Sequence, residues 1–288
     1  RKAAAELREL GIVPSLQFQA TIGHGDGLSL TEDSSAKTWP GWTGSTGVEA
    51  KACNCPRQRG FLDYVRSTAR LYAAFKPAFV WIDDDLRFDN HKPATDGSYP
   101  GCWCERCVAD FNAAAGGRWT RESLAAAVAA DEKLLEKWIG FSEDSVAEVA
   151  RAIAEEFRRI SPGTRMALQH GMTHTGTIMK VLAVLRETSG MPVGFRPGGG
   201  AYYDINPNDQ VIKSLSSARF RREIGNPGWI SPWTPEVESW PRVYGSRSAQ
   251  SILVEGFSAL MYGMDAVSMF VTQTGGEDRS LYSRTILG

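Results

Sequence analysis

Segments patterned as helix alternate with segments patterned as strand through almost the whole chain, and this alternation constrains the fold more than any other feature. A strand, a helix and a second strand in succession return the chain to the same direction, so repeated units build a parallel sheet covered by helices. Lys2 to Leu10 is an amphipathic helix closed by Gly11, and Ile12 to Ala20 reads as a buried strand. Residues 21 to 60, rich in Gly, Ser, Thr and Trp, read as an elaborated loop around a weak strand near Trp42. Phe61 to Phe75 has helical spacing and stops at Pro77, and Ala78 to Ile82 is a short strand. The alanine-rich stretch Leu124 to Ala130 reads as helix, as does Glu143 to Ile160, closed by Ser161-Pro162-Gly163. Strands are then predicted at Arg165 to Gln169, Pro192 to Arg196, Trp229 to Val237 and Ala266 to Thr272, with helices between them at Thr175 to Thr188, Pro207 to Ile224 and Ala249 to Tyr262.

About seven strand–helix repeats follow from this pattern. No strand leads into a dinucleotide fingerprint, so a closed (β/α)8 TIM barrel is favoured over a doubly wound sheet. With 288 residues there is room for one such barrel, read as a single domain over 1–288 that lacks its first βα unit. The chain opens on Arg1, already inside a helical pattern, so its natural N-terminus is expected upstream. A formal net charge of -1 gives no electrostatic basis for nucleic acid or an anionic membrane surface. No apolar run approaches the ~20 residues of a membrane span.

The five cysteines are odd in number and clustered, which does not suit a closed disulfide framework. Three form Cys102-x-Cys104-x-x-Cys107 and two form Cys53-x-Cys55. Such a set suits zinc, which takes four soft ligands in a tetrahedron and, with all four from protein, braces structure. The fourth ligand is Cys53 or Cys55, and the cysteine-rich insertion spans residues 53–107. Retained thiols suit a reducing compartment, so a cytoplasmic location is expected.

Polar residues collect where the strands stop, which is where barrel chemistry sits. The strand ending at Ile82 runs into Asp83-Asp84-Asp85, then Arg87 and His91. The next runs into His170 and His174, and the following one into Arg196, Gly198-Gly199-Gly200, Tyr202, Tyr203 and Asp204. Trp229 to Val237 delivers Glu236 and Glu238, then Trp240, and the first strand leads to His24 and Asp26. Three adjacent acids repel one another, a cost that active sites commonly carry. Glu236 and Glu238, two apart, share one strand face. The triple glycine lacks the Lys and Ser/Thr of a phosphate loop and reads as a close-approach turn. Trp42, Trp81, Trp103, Trp233, Trp240, Tyr202 and Tyr203 lie in or beside strand-end loops, where flat rings suit sugar faces.

From Cys55 to Asn112 the chain resembles glycoside hydrolase family 42, the β-galactosidases of the large retaining barrel clan. The residues that carry the resemblance are Cys55-Pro56, then Cys102, Cys104 and Cys107, then Phe111-Asn112. Glu236 onward is also similar, with Gly263-Met-Asp265-Ala-Val267-Ser-Met-Phe270 in place of the family's eighth strand. The resemblance implies a structural zinc held by Cys55, Cys102, Cys104 and Cys107, and a homo-oligomer, since family members are commonly trimers. It implies a two-carboxylate cleavage of a carbohydrate, with Asp85 as general acid and Glu236, or Glu238 beside it, as nucleophile. Asp83, Asp84, Arg87, His91, His170, Arg196, Tyr202 and Trp240 would bind substrate. Where the family has Asn-Glu this sequence has Asp84-Asp85, one methylene shorter at the acid, which marks a divergent relative. Two other readings compete: a metal-dependent barrel hydrolase using these aspartates with His24 or His170, and a carbohydrate-binding barrel without catalysis.

Overall fold

The computed structural model describes residues 2–19, 21–23, 37–87, 98–200, 202, 204, 206, 208–238 and 247–270. Among them the chain divides into two compact units, residues 1–166 with 174–191, and residues 167–173 with 192–288.

In the first unit, strands β1 (Leu16–Phe18) and β4 (Phe79–Ile82) pair in parallel, with Gln17 opposite Trp81. The chain passes between them through helix α2 (Arg59–Ala73), which buries Phe61, Val65, Ala69 and Ala73. That is a stripe repeating every fourth residue, the face an amphipathic helix turns to a core. Before α2 lies an antiparallel hairpin, β2 (Gly41–Thr43) with β3 (Glu49–Asn54). Sequence patterning places only a weak strand here, because β3 is built largely of poor strand formers such as Ala50, Lys51 and Ala52. Helices α3 (Glu105–Ala115), α4 (Arg121–Ala130), α5 (Glu132–Ile160) and α6 (Thr175–Ser189) complete the unit, with α1 (Lys2–Glu9) at its start.

Helix α5 starts eleven residues ahead of its predicted onset at Glu143. Asp131 caps it, its side chain accepting from the Lys133 and Leu134 amides, while Trp138 and Ser142 are the buried positions in its first turns. So sparse an apolar stripe hides a helix from periodicity; the cap and the charged helix formers around it sustain it instead. Arg66 and Arg70 of α2 reach Glu155 and Glu156 of α5 at 2.6 and 2.8 Å. At the entry to the next strand, the Arg165 amide donates to the Ala78 carbonyl at 2.9 Å.

The second unit holds the rest of β5 (Arg165–His170), with β6 (Val193–Pro197) and β7 (Ile230–Trp233) in parallel order. Every residue of β6 is buried, as expected of a parallel strand covered on both faces. The predicted strand from Trp229 to Val237 is two strands. Pairing with β6 ends when the Thr234 amide donates to the Phe195 carbonyl. Beyond Pro235 the chain pairs instead as β8 (Glu236–Glu238) with β9 (Ser268–Phe270). Prolines at 232 and 235 cannot donate to a ladder, so the strand changes partner where its hydrogen bonds are already interrupted. Helices α7 (Asp209–Glu223) and α8 (Ala249–Met261) pack together in the same unit.

No helix among the described residues is long and apolar enough to cross a membrane.

The aromatic cluster under β6 sets a stability test. Phe195 is fully buried and meets Trp233 edge-on at 5.3 Å and Phe220 at 5.7 Å. Phe195→Ala should lower unfolding stability by roughly 3–5 kcal/mol in urea titration. Val254→Ala, at a position 39 % exposed, should change it by less than about 0.5 kcal/mol.

Candidate functional site

Four sulfurs meet in the first unit. Cys55 follows β3, Cys102 and Cys104 precede α3, and Cys107 lies in its first turn. All four are buried, and their Sγ atoms lie within 4.8 Å of one another. Cys55 stands 3.6 Å from Cys104 and 3.4 Å from Cys107, well beyond a disulfide bond. Metal–sulfur bonds of ~2.3 Å in a tetrahedron would set sulfurs about 3.8 Å apart, so this cluster can hold a metal ion. Cys53 takes no part; its thiol donates to the Gly23 carbonyl. In a continuous strand Cys53 and Cys55 would share a face, but β3 ends at Asn54, and the chain beyond it carries Cys55 to the cluster.

The surroundings suit negative charge on these sulfurs. The Thr43 amide points at Cys102 Sγ from 3.4 Å, and Gln58 Nε2 at Cys104 Sγ from 3.8 Å. Hydrogen bonds from Cys102, Cys107 and Cys55 hold the Cys104 thiol far below its ordinary value. Burial pushes Cys102 up, and hydrogen bonding with Cys102, Cys104 and Cys55 pushes Cys107 up. One thiolate among thiols is the charge a buried cluster can carry alone; a cation at its centre lets all four ionise.

The same unit carries the three aspartates beyond β4. Asp83 Oδ1 accepts from Gln17 Nε2 at 2.9 Å and from the Asp84 amide at 3.0 Å. Burial, with the charges of Asp84 and Asp85 adding to it, pushes the Asp83 carboxyl up to about 6. Asp84 lies 3.7 Å from Arg87, and Asp85 is buried.

The second unit gathers the other expected residues around Glu236, the first residue of β8. Its carboxylate is buried, with Oε1 accepting from Arg196 NH1 and Oε2 from the Tyr202 hydroxyl at 3.3 Å. Arg196 comes from β6 and is also within 3.3 Å of Gln169 Oε1 on β5. A guanidinium on one oxygen and a phenol on the other favour the ionised form and fix the plane of the carboxylate. A Cβ at Gly198 would meet Glu236 Oε2 at an ordinary 3.4 Å, but one at Gly199 would come within 3.1 Å of Lys213 Cγ, and Gly200 has φ +70°. The triple glycine is thus a close-approach turn, as its sequence suggests. His170, expected just past β5, is instead its last residue and is buried, with its carbonyl accepting from the Gly198 amide. Glu238, two residues along, is half-buried.

Several aromatic rings expected to face sugar are core. Trp42, Trp103 and Trp233 are 1 % exposed or less, whereas Trp81 is half-buried and stacks on Phe79. Their strand-end positions gave no sign of this, because a ring at the end of a strand can turn to the core or to solvent with the same local sequence. His91, His24, Tyr203 and Trp240 lie outside the described residues. Sequence patterning missed Gln169, Lys213, Arg247 and Glu255, which stand beside or behind Glu236; charged residues on helices read as solvated. Lys213 Nζ is 3.1 Å from Glu255, and Arg247 NH2 is 2.6 Å from it.

No protein-family model matches this sequence, and no curated protein matches it. Solved structures do. A β-galactosidase from Bacillus circulans sp. alkalophilus superposes with a TM-score of 0.62 at 12 % identity, over 99 % of this chain and 46 % of that one. A polyextremophilic β-galactosidase from the Antarctic haloarchaeon Halorubrum lacusprofundi gives a TM-score of 0.60 at 16 % identity, over 93 % and 44 %. The likeness is one of fold alone, and this chain spans less than half the length of either structure.

Asp83 makes stability depend on pH in a defined direction. Its folded value of about 6 lies above that of an unfolded aspartate, so the folded state binds the extra proton between about pH 4 and 6. Stability attached to this group is full below that window and is lost as pH rises through 6. Asp83→Asn should remove the loss, gaining on the order of 2 kcal/mol over the unsubstituted protein at pH 8 and almost nothing at pH 4, read by urea unfolding at both.

Proposed function

We propose that this chain is the core of a (β/α)8-barrel glycoside hydrolase that cleaves a β-glycoside with retention, using Glu236 as nucleophile. The observation that carries the reading is the Glu236 carboxylate, buried at a strand end with a donor on each oxygen. Retaining cleavage requires a carboxylate that stays ionised and aimed at the anomeric carbon, and Arg196 with Tyr202 supply both conditions. The fold likeness to two β-galactosidases supports the class of reaction.

In the proposed course, Glu236 attacks the anomeric carbon as the glycosidic bond breaks. A carboxylic acid protonates the departing oxygen, and water then releases the sugar with retained configuration. The family resemblance assigns the acid to Asp85. The resemblance assigns Asp83 and Asp84 to substrate hydroxyls, with Arg87, His91, His170 and Trp240 as further substrate contacts. Glu238, half-buried and without those paired donors, is the lesser candidate for attack.

The metal of the cysteine cluster is proposed to be zinc. Four thiolates close its coordination, so it would brace the junction of the hairpin with α3 and take no part in bond cleavage.

Two measurements test these assignments. Glu236→Gln should reduce turnover of an aryl β-glycoside by at least about 10³-fold while Glu238→Gln retains most of it. Loss at Glu238 alone would move the nucleophile two residues, and unchanged activity in both variants would overturn the hydrolase reading. Metal analysis of reduced protein should find one zinc per chain. Cys102→Ser should lose it and lower the thermal midpoint by on the order of 10 °C, whereas Cys53→Ser should keep it.

A further inference from the structure

Lys213, Glu255 and Arg247 are the most deeply buried ion-pair partners of the second unit, their side chains 2 %, 2 % and 0 % exposed. Lys213 belongs to α7 and Glu255 to α8, and Arg247 lies just ahead of α8. Glu255 takes Lys213 on one oxygen at 3.1 Å and Arg247 on the other at 2.6 Å. Burying such a chain costs more than burying apolar groups of equal volume, so stability alone does not account for it.

Each branch of the network leads toward Glu236. The Lys213 ammonium lies over the ring of Tyr202, 5.3 Å from its centroid, and the Tyr202 hydroxyl donates to Glu236. Arg247 NH1 donates to the carbonyl of Glu238, two residues from Glu236 on the same strand. Arg247 Nε also faces Asp204 at 3.6 Å, and the other Asp204 oxygen accepts from the Ser248 amide at 2.6 Å. The segment carrying Tyr202 is thereby held on both sides. Gly199 runs directly across the Lys213 stem; a Cβ there would come within 3.1 Å of Lys213 Cγ.

We infer that Lys213, clamped by Glu255 and Arg247, is a positioning residue that fixes Tyr202 and, through its hydroxyl, the Glu236 carboxylate. The inference rests on the glycosidase reading in which Glu236 is the nucleophile. A cation over the face of a phenol is drawn to the negative ring quadrupole. It holds the ring in place and draws electron density from the hydroxyl, which makes Tyr202 a firmer donor. Lys213 touches no reacting atom. Its loss should appear as slower attack, because a reacting group displaced by about 1 Å can lose on the order of 10²-fold in rate.

The test uses a panel of 2,4-dinitrophenyl 2-deoxy-2-fluoro-β-hexosides, which trap the attacking carboxylate as a covalent adduct identified by peptide mass. The unsubstituted protein should label at Glu236. Lys213→Met should label about 10- to 100-fold more slowly at saturating reagent, with the concentration for half-maximal rate within about 3-fold. In a Tyr202→Phe background, Lys213→Met should cost less than about 3-fold more, since its effect passes through the hydroxyl already removed. Equal losses in both backgrounds would mean a merely structural role and overturn the inference. So would labelling of Lys213→Met at the original rate. Should Lys213→Met fail to fold by circular dichroism, Lys213→Gln, which can still donate to Glu255, carries the same comparison. Labelling of the unsubstituted protein at Glu238 instead would overturn this inference and leave the glycosidase reading standing, whereas absence of an adduct on either glutamate across the panel would overturn both.

Discussion

A parallel strand covered by helices has no face left for polar groups, so such a chain can do chemistry only where its strands stop. In the second unit β6 is buried from end to end, and its single charged residue, Arg196, lies one position before its last. That arginine cannot be solvated by water and must find an anion on a neighbouring element. It finds Glu236, and the pair fixes how the chain may leave β7 and enter β8. Tyr202 supplies a further donor, on the second oxygen of Glu236.

The first unit meets a different constraint by related means. Its hairpin is short and its loops are long, so apolar burial alone gives them little. Sulfur supplies what the hairpin lacks. The Trp103 amide donates to the Thr43 carbonyl at 2.7 Å while the Thr43 amide points back at Cys102, so strand β2 and the segment before α3 are bonded reciprocally beside the cluster. Arg57 and Arg106 then share Asp110 at 2.8 Å each, tying the segment after Cys55 to α3. Exposed ion pairs contribute little singly, but here they flank a connection already made.

Much of this was legible in the sequence, and what was not had physical causes. The alternation of elements, the Cys102-x-Cys104-x-x-Cys107 knuckle and the acids beyond β4 depend on spacing, which a sequence displays directly. The choice of Cys55 over Cys53 needed the point where β3 stops, between the two cysteines. Trp42, Trp103 and Trp233 are buried, which their sequence positions do not display, because an aromatic residue at a strand end looks the same whether it faces solvent or packs inward. The single strand from Trp229 to Val237 was misread because change of partner is a property of hydrogen bonds, to which composition is nearly blind. Lys213 and Glu255 were invisible for the strongest reason. On isolated helices they are ordinary surface charges, and only the packing of α7 on α8 converts them into a buried pair.

The cysteine cluster also bears on how the polypeptide matures as it is made. Its sulfurs come from positions 52 residues apart in the chain. A cross-link closing a loop of that size removes about 4 kcal/mol of unfolded-chain entropy. None of that is available until both ends have been synthesised. While Cys107 is still inside the ribosome, the hairpin carrying Cys55 has neither its sulfur partners nor the backbone bonds to Trp103, and α2 has only part of its packing surface. The order of emergence therefore makes this segment a late-closing clasp: an ion bound there would join two stretches of chain that leave the ribosome 52 residues apart.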